Sequence, residues 1–230
     1  MTHARYAVYF QPAPDTPLGA FGAGVLGYDV ASGQDVTRIA VPGLSTETLA
    51  SLTETPRTYG FHATLKAPFY PREGVNEADI FASVAALARD LQTPAPLRLT
   101  VRLLANFIAL TPSEADPGLA ALASRCVTDL DHLRAPLTLG DRARRLKSGL
   151  TGRQIANLDA YGYPHVHEDF RFHMTLTGQV PDSLKDTARD CLAAQFAMVA
   201  QPTALDALAV AKQADRNARF VVARRFPIGR

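Results

Sequence analysis

An α+β fold is expected, with two pseudo-symmetric lobes, each a small antiparallel sheet with helices packed on its outer face, and an active-site cleft between the lobes. Three observations predict it. Short stretches of β-branched, aromatic and aliphatic residues alternate with period two, and the longer stretches between them carry apolar residues at helical spacing. The order strand, helix, strand, strand runs from Tyr59 to Leu110 and again from Phe170 to Phe226. Finally, the centre of Tyr59-Gly-Phe-His62-Ala-Thr64-Leu-Lys66 returns as Phe172-His173-Met-Thr175-Leu176, with His173 lying 111 positions after His62. The downstream layout travels with it, since Asn106 follows His62 by 44 residues and Asn217 follows His173 by 44. A duplicated unit accounts for both spacings.

In order along the chain, Ala4 to Phe10 reads as a strand with Tyr6, Val8 and Phe10 on one face and Ala7 and Tyr9 on the other. A Pro-rich turn, Gln11 to Pro17, precedes a small, apolar helix over Leu18 to Leu26. Ser45 caps a helix through Leu52, and Pro56 closes it before the first motif strand. Asn76-Glu-Ala-Asp79 forms a capping signal for a helix to about Gln92. Strands follow over Leu97 to Leu103 and Asn106 to Leu110, joined by a tight turn. Asp116-Pro117 opens a helix from about Gly118 to Leu133. Asp141 to Lys147 is a basic helical piece, and Thr151-Gly-Arg-Gln154 is a capping box for a helix to about Ala160. The second motif strand spans Phe170 to Thr177, a helix runs from Pro181 to about Ala200, and strands at Leu205 to Ala211 and Arg219 to Phe226 finish the pattern. One bilobal domain over 1–230 is expected: the first motif lobe mainly from about 45–112, the second mainly from about 165–230, with 1–10 and 116–160 completing them.

Composition narrows the function classes. A hydrophobic content of 47% supports a real core, and 24 basic against 22 acidic residues is too balanced for a general nucleic-acid coat, so an anionic ligand must be bound locally. The uncharged windows Thr16 to Tyr28 and Cys191 to Leu205 are too short and too broken for a membrane span. The N-terminal apolar run is too short for a secretory leader. A cytoplasmic protein without a membrane or an obligate protein partner is expected. Cys126 and Cys191 have no second cysteine at metal-ligand spacing and read as thiols within helices.

Strand parity places His62, Thr64 and Lys66 on one face, and Arg171, His173, Thr175 and Thr177 on another. Two facing imidazoles in different protonation states serve as base and acid together, the pairing that phosphodiester cleavage needs. One takes a proton from the attacking oxygen and the other protonates the leaving alkoxide. Thr64 and Thr175 hydroxyls would donate to the non-bridging phosphate oxygens, and Lys66 would add positive charge. The scheme requires no metal and no cofactor. Tyr59 joins the substrate-contacting group, and Tyr6 or Tyr9 would floor the cleft.

These paired His-x-Thr-hydrophobic motifs resemble the 2H phosphoesterase superfamily, which includes 2′,3′-cyclic phosphodiesterases and RNA-end-processing enzymes. Tyr-Gly-Phe-His-Ala-Thr-Leu-Lys-Ala-Pro-Phe at 59–69 and Phe-Arg-Phe-His-Met-Thr-Leu-Thr-Gly at 170–178 are similar to a bacterial group of phosphonate metabolism proteins associated with carbon–phosphorus lyase operons. The resemblance implies a hydrolase acting on phosphoric diester bonds, with His62 and His173 catalytic and Thr64 and Thr175 binding phosphate. It further implies a small phosphorylated cyclic phosphate as substrate, such as 5-phosphoribosyl 1,2-cyclic phosphate. A second phosphate would need its own cations; Lys66, Arg171 and the Arg142 to Lys147 cluster are candidates in that order.

Three alternatives stay open. The substrate class could instead be 2′,3′-cyclic nucleotides or RNA ends. The same donors and aromatics would also bind RNA or nucleotide ends without turnover. Third, His165-Val-His167-Glu168-Asp169 has donor types suited to a divalent metal, with His173 as a further ligand.

Overall fold

The computed structural model describes residues 4–229. Met1 to His3, part of the stretch read for a leader, lie outside the described residues. The class is α+β, and the dominant element is an antiparallel sheet. Its strands are β1 (Arg5–Phe10), β4 (Ala63–Phe69), β5 (Leu99–Leu104), β6 (Phe107–Pro112), β7 (Met174–Thr175), β8 (Ala207–Gln213) and β9 (Val221–Pro227), in the spatial order β5-β6-β7-β4-β1-β8-β9. A minor two-stranded ribbon joins β2 (Tyr28–Asp29) to β3 (Gln34–Asp35) and was not foreseen. The helices are α1 (Pro17–Leu26), α2 (Thr46–Arg57), α3 (Glu77–Asp90), α4 (Pro117–Thr128), α5 (Leu139–Leu146), α6 (Gly152–Tyr161) and α7 (Lys185–Ala197). Among the described residues no helix is long and apolar enough to cross a membrane.

Local chemistry sets most boundaries. The hydroxyls of Thr16, Ser45 and Thr138 each accept from the backbone N–H three residues on, opening α1, α2 and α5. Asn76 with Asp79, and Thr151 with Gln154, form reciprocal capping boxes at α3 and α6. Helix α4 ends at Thr128, and Asp131–Leu133 form a separate single turn, so the expected run to Leu133 is interrupted. Helix α2, expected to stop at Leu52, continues to Arg57 with Pro56 inside it. Proline has no N–H for the carbonyl four residues earlier. That carbonyl, Leu52 O, instead accepts from Gly178 N at 2.6 Å, just beyond the second motif.

The sheet has two unlike faces. Tyr6, Val8 and Phe10 of β1 point into one large core beneath the helices, with Leu65, Ile80, Val84, Leu122, Met174, Leu192 and Val210. Ala7 and Tyr9 point the other way, toward Ala211, Phe220 and Tyr59. The alternation of β1 thus survives intact. Helix α3 packs on β8 and β9, α4 on β4, and α7 on β5. Phe21 of α1 meets Phe196 of α7 with ring centroids 5.4 Å apart.

Strand pairing differs from the expectation of contiguous lobes. The two motif strands lie side by side at the middle of the sheet, joined through one pair, Ala63 opposite Met174. The β5–β6 hairpin, which follows the first motif in sequence, hydrogen-bonds to the second motif strand through Ala109–Thr175 and Leu110–Met174. The β8–β9 hairpin, which follows the second motif, pairs with β1, and β1 with the first motif strand. The repeated element order is present, but each unit lends its hairpin to the other half. Sequence order alone does not distinguish this exchange from self-contained lobes, because both leave every strand with an antiparallel neighbour. Strand β7 has only two residues rather than the eight expected at 170–177. The preceding chain is taken up by a turn at His167–Asp169, and His167 itself has φ 53°.

Candidate active site

The pair Ala63–Met174 sets the geometry of the centre. In that antiparallel register His62 lies opposite Thr175, and His173 opposite Thr64. Directly opposed side chains stand about 4.5–5.5 Å apart at Cβ, and diagonal ones about 7–8 Å. Each histidine therefore faces the hydroxyl of the other motif, with the two imidazoles on the diagonal. His62 also reaches the threonine of its own strand, Nε2 to Thr64 Oγ1 at 3.2 Å.

Both imidazoles are braced alike. Nδ1 of His62 is 2.8 Å from the carbonyl of Gly60, and Nδ1 of His173 is 2.8 Å from the carbonyl of Arg171. A carbonyl only accepts, so Nδ1 carries the proton and Nε2 is left as the working nitrogen on both rings. The brace at Gly60 depends on a backbone with φ 73°, where an added Cβ would stand 2.3 Å from Val30 Cβ. Tyr9 lies under His62 with ring centroids 3.8 Å apart, and Tyr59 stacks on Phe220 at 5.4 Å with its own ring 6.4 Å from His62. Burial pushes the His62 imidazole down to about 4, the Gly60 carbonyl opposes that shift, and His173 adds to it.

An open cleft of about 640 Å³ fronts the centre. Its wall combines His62, Thr175 and Thr177 with Tyr59, Asn106 and Phe107, and the last turn of α2 closes one side. His173 is not one of its lining residues; its ring lies 5.8 Å from that of Phe107, which is. Thr64 lines a much smaller cavity of about 10 Å³ beside Tyr163 and His165.

Four expected residues, His62, Thr64, His173 and Thr175, are thus brought together, and Tyr59 stands in the cleft wall. Lys66 and Arg171 are not with them. Opposite β1, Tyr9 pairs with Thr64 but Val8 pairs with Lys66, so Leu65 is an extra residue in β4. Such a bulge resets the alternation. Lys66 consequently points to the helix side, 3% exposed, with Nζ 2.9 Å from Val127 O and 3.2 Å from Asp131 Oδ1. Burial pulls its ammonium below the usual lysine range, and Asp131 opposes the shift. Strict period-two counting assigned it to the site; the β-bulge overturns that assignment. Arg171 is exposed and donates to the carbonyls of Glu168 and Phe170 at 2.8 and 2.7 Å. Thr177 is fully buried, accepting from Ile108 N at 2.9 Å and donating to Gly178 O at 3.0 Å.

Of the two tyrosines considered for the floor, Tyr9 takes that place, and Tyr6 turns to the helix side to donate to Glu77 at 2.9 Å. Asn106 and the end of α2 were missed as wall residues. The equal spacing of Asn106 and Asn217 from the two histidines was the available signal for the first; the second depends on the Leu52–Gly178 contact. In the His165–Asp169 segment, His167 Nδ1 meets Ser124 Oγ at 3.1 Å and Asp169 pairs with Arg153 at 2.7 Å. Among the described residues no three His, Cys, Asp or Glu side chains converge as a metal-holding group.

Fold and site together define an α+β protein whose two repeated His-x-Thr strands meet at the centre of one antiparallel sheet. The chain belongs to the family described as protein of unknown function (DUF1045), whose match covers residues 64–221. It is 40% identical over 228 residues to ribose 1,5-bisphosphate phosphokinase PhnN of Janthinobacterium sp. (strain Marseille), covering 97% of this chain and 50% of that protein. It is 35% identical over 178 residues to the protein of the same name from Laribacter hongkongensis (strain HLHK9), covering 77% of this chain and 41% of that one. The chain thus spans about half the length, or less, of the curated relatives it matches. Among solved structures, a conserved protein of unknown function from Agrobacterium tumefaciens, ATU0111, aligns over 100% of this chain and 87% of its own at a TM-score of 0.47 and 11% identity. A crystal structure of a phosphoesterase aligns over 100% of both chains at 0.39 and 14%.

Proposed function

We propose that this chain is a phosphodiesterase of the two-histidine type that opens a small cyclic phosphate by acid–base catalysis. The observation that carries the reading is the matched bracing of the imidazoles: Nδ1 of each is tied to the carbonyl two residues back, leaving Nε2 to act. His62, neutral at pH 7 because burial holds it down to about 4, is the base. Its Nε2 takes a proton from water as the water oxygen bonds to phosphorus. The bond from phosphorus to one ring oxygen breaks, and Nε2–H of His173 protonates that oxygen. A cyclic diester and water become a monoester with a free hydroxyl, and the proton balance returns to the start through solvent. Thr64 and Thr175, placed on either side, donate to the non-bridging oxygens, where charge grows in the transition state.

A sugar cyclic phosphate such as 5-phosphoribosyl 1,2-cyclic phosphate is the preferred substrate, in phosphonate catabolism and in the cytoplasm. The name borne by the two relatives refers to a sugar bisphosphate, and the sequence resemblance points to the same metabolism. The experiment is a panel of sugar 1,2-cyclic phosphate, nucleoside 2′,3′-cyclic phosphates and short RNAs with cyclic ends, followed by phosphorus NMR. Turnover of the first is expected. Turnover of nucleotide substrates alone would favour the 2′,3′-cyclic reading. Binding of all three without turnover by the wild type would leave a nucleotide-end binding protein.

A further inference from the structure

A second cavity opens on the same face of the sheet, farther along β1. It has about 50 Å³ of free volume, and its wall carries five guanidinium groups, Arg5, Arg134, Arg144, Arg145 and Arg216, against the single carboxylate of Asp141. One water needs roughly 10–15 Å³ of such space, so a group of four or five heavy atoms fits.

The charges there are incompletely neutralised. Asp141 is shared by Arg144 at 2.5 Å and Arg216 at 3.2 Å, and Arg134 is held by Asp131. Arg5 donates to the neutral amide of Gln213, and among the described residues neither Arg5 nor Arg145 has a carboxylate partner. Arg145 sets itself apart from its neighbours on the basic helix α5. While Arg142 pairs with Asp159 in solvent, Arg145 turns inward over the Tyr163 ring at 5.3 Å. Its Nε is buried and has no hydrogen-bond partner among the described residues. Burial and the neighbouring Arg144 and Arg5 both work against its charge, which Tyr163 and Asp141 only partly offset. An unpaired buried donor of this kind costs stability unless an acceptor arrives.

A chain of ring contacts runs from the edge of this cavity to His62. Tyr9 stacks on His62, Phe220 lies 6.0 Å from Tyr9, and the Arg5 guanidinium lies 5.6 Å from Phe220. Arg5 and Tyr9 share a strand face four residues apart, roughly 13 Å between Cα atoms, the span that one substrate reaching both would bridge. The hydroxyl of Tyr9, on this same face, is a second buried group without a hydrogen-bond partner among the described residues.

We infer that this arginine pocket, apart from the imidazole cleft, is the subsite that holds a terminal phosphate monoester of the substrate. Arg145 and Arg5 hold that group through paired N–H donors, which match phosphate oxygens in a way a lysine cannot. The inference rests on the phosphodiesterase reading for the reaction, but the pocket can be tested apart from it.

The probes are inorganic phosphate and ribose 5-phosphate, titrated into isotopically labelled full-length protein while the arginine Nε–H resonances are followed. Saturable shifts of Arg145 and Arg5 are expected, with binding weakened roughly 10- to 100-fold in Arg145→Ala and in Arg5→Gln, and retained in His62→Ala. An unmoved Arg145 resonance in the wild type, or wild-type affinity in both arginine variants, would overturn the inference. In turnover, the wild type should favour a cyclic phosphate bearing a terminal phosphate over the same compound without it, and Arg145→Ala should collapse that ratio through KM rather than kcat. An unchanged ratio also counts against it. Should the wild type turn over no cyclic phosphate, the proposed reaction fails while the resonance titration still decides the pocket.

Discussion

Replacing His62 by glutamine separates the electrostatic cost of the buried imidazole from the rest of the site. In the folded protein burial holds His62 down to about 4, whereas an unfolded histidine titrates near 6.5. Between those values the unfolded chain binds the proton and the folded one does not, so stability rises with pH through the window. Its contribution is complete above about 6.5 and is lost as pH falls toward 4. The difference of about 2.5 pH units corresponds to roughly 3 kcal/mol as an upper bound, because the ring edge reaches the cleft. Urea unfolding followed by circular dichroism at pH 4 to 7 should give the wild type a steeper pH dependence than His62→Gln by up to that amount. Nitrogen-15 NMR of the wild type should show the ring neutral at pH 5.5. Parallel stability profiles, or a ring that titrates near 6.5, would refute burial as the cause and remove the argument for His62 as base.

Other outcomes follow from the same geometry. His62→Ala and His173→Ala should each reduce turnover of a cyclic phosphodiester at least about 100-fold, and retained turnover in both would sink the enzyme reading. Thr175→Val should lower kcat about 100-fold with little change in KM, measured on the best substrate of the panel. Asp131→Ala strands the Lys66 ammonium in the core and should cost about 3–5 kcal/mol, visible as a fall in Tm of about 10 °C. Lys66→Met should cost far less, since Asp131 keeps Arg134; a large loss of turnover at unchanged stability would return Lys66 to the site. Gly60→Ala should destabilise by about 2–4 kcal/mol from its φ and the Val30 contact, and should lower activity per folded molecule by shifting the His62 brace.

Much of this was legible in the sequence, for physical reasons that also mark where it stopped. Capping chemistry is local, so Ser45, Asn76–Asp79 and Thr151–Gln154 announced their helices correctly. The site centre was legible because the His-x-Thr pattern appears twice, and a period of two survives wherever a strand is regular. Lys66 failed that count because a bulge at Leu65 depends on how β4 meets β1, which period counting does not register. Pro56 misled for a related reason, as the partner that satisfies Leu52 O comes from residue 178. The inward turn of Arg145 likewise depends on Tyr163, 18 positions away in sequence.

The hairpin exchange makes the two halves mutually dependent. A nick in the exposed Ser148–Gly149 segment would separate a fragment holding β1, β4, β5 and β6 from one holding β7, β8 and β9. Neither piece holds a whole half of the sheet, because the second motif strand β7 lies between β4 and β6 of the first fragment, and the β8–β9 hairpin of the second fragment docks on β1 of the first. Such fragments should recover activity only when mixed, at a rate set by their encounter. By the same logic, damage in β8 or β9 should be felt first at His62, and damage in β5 or β6 at His173, each imidazole answering to the opposite end of the chain.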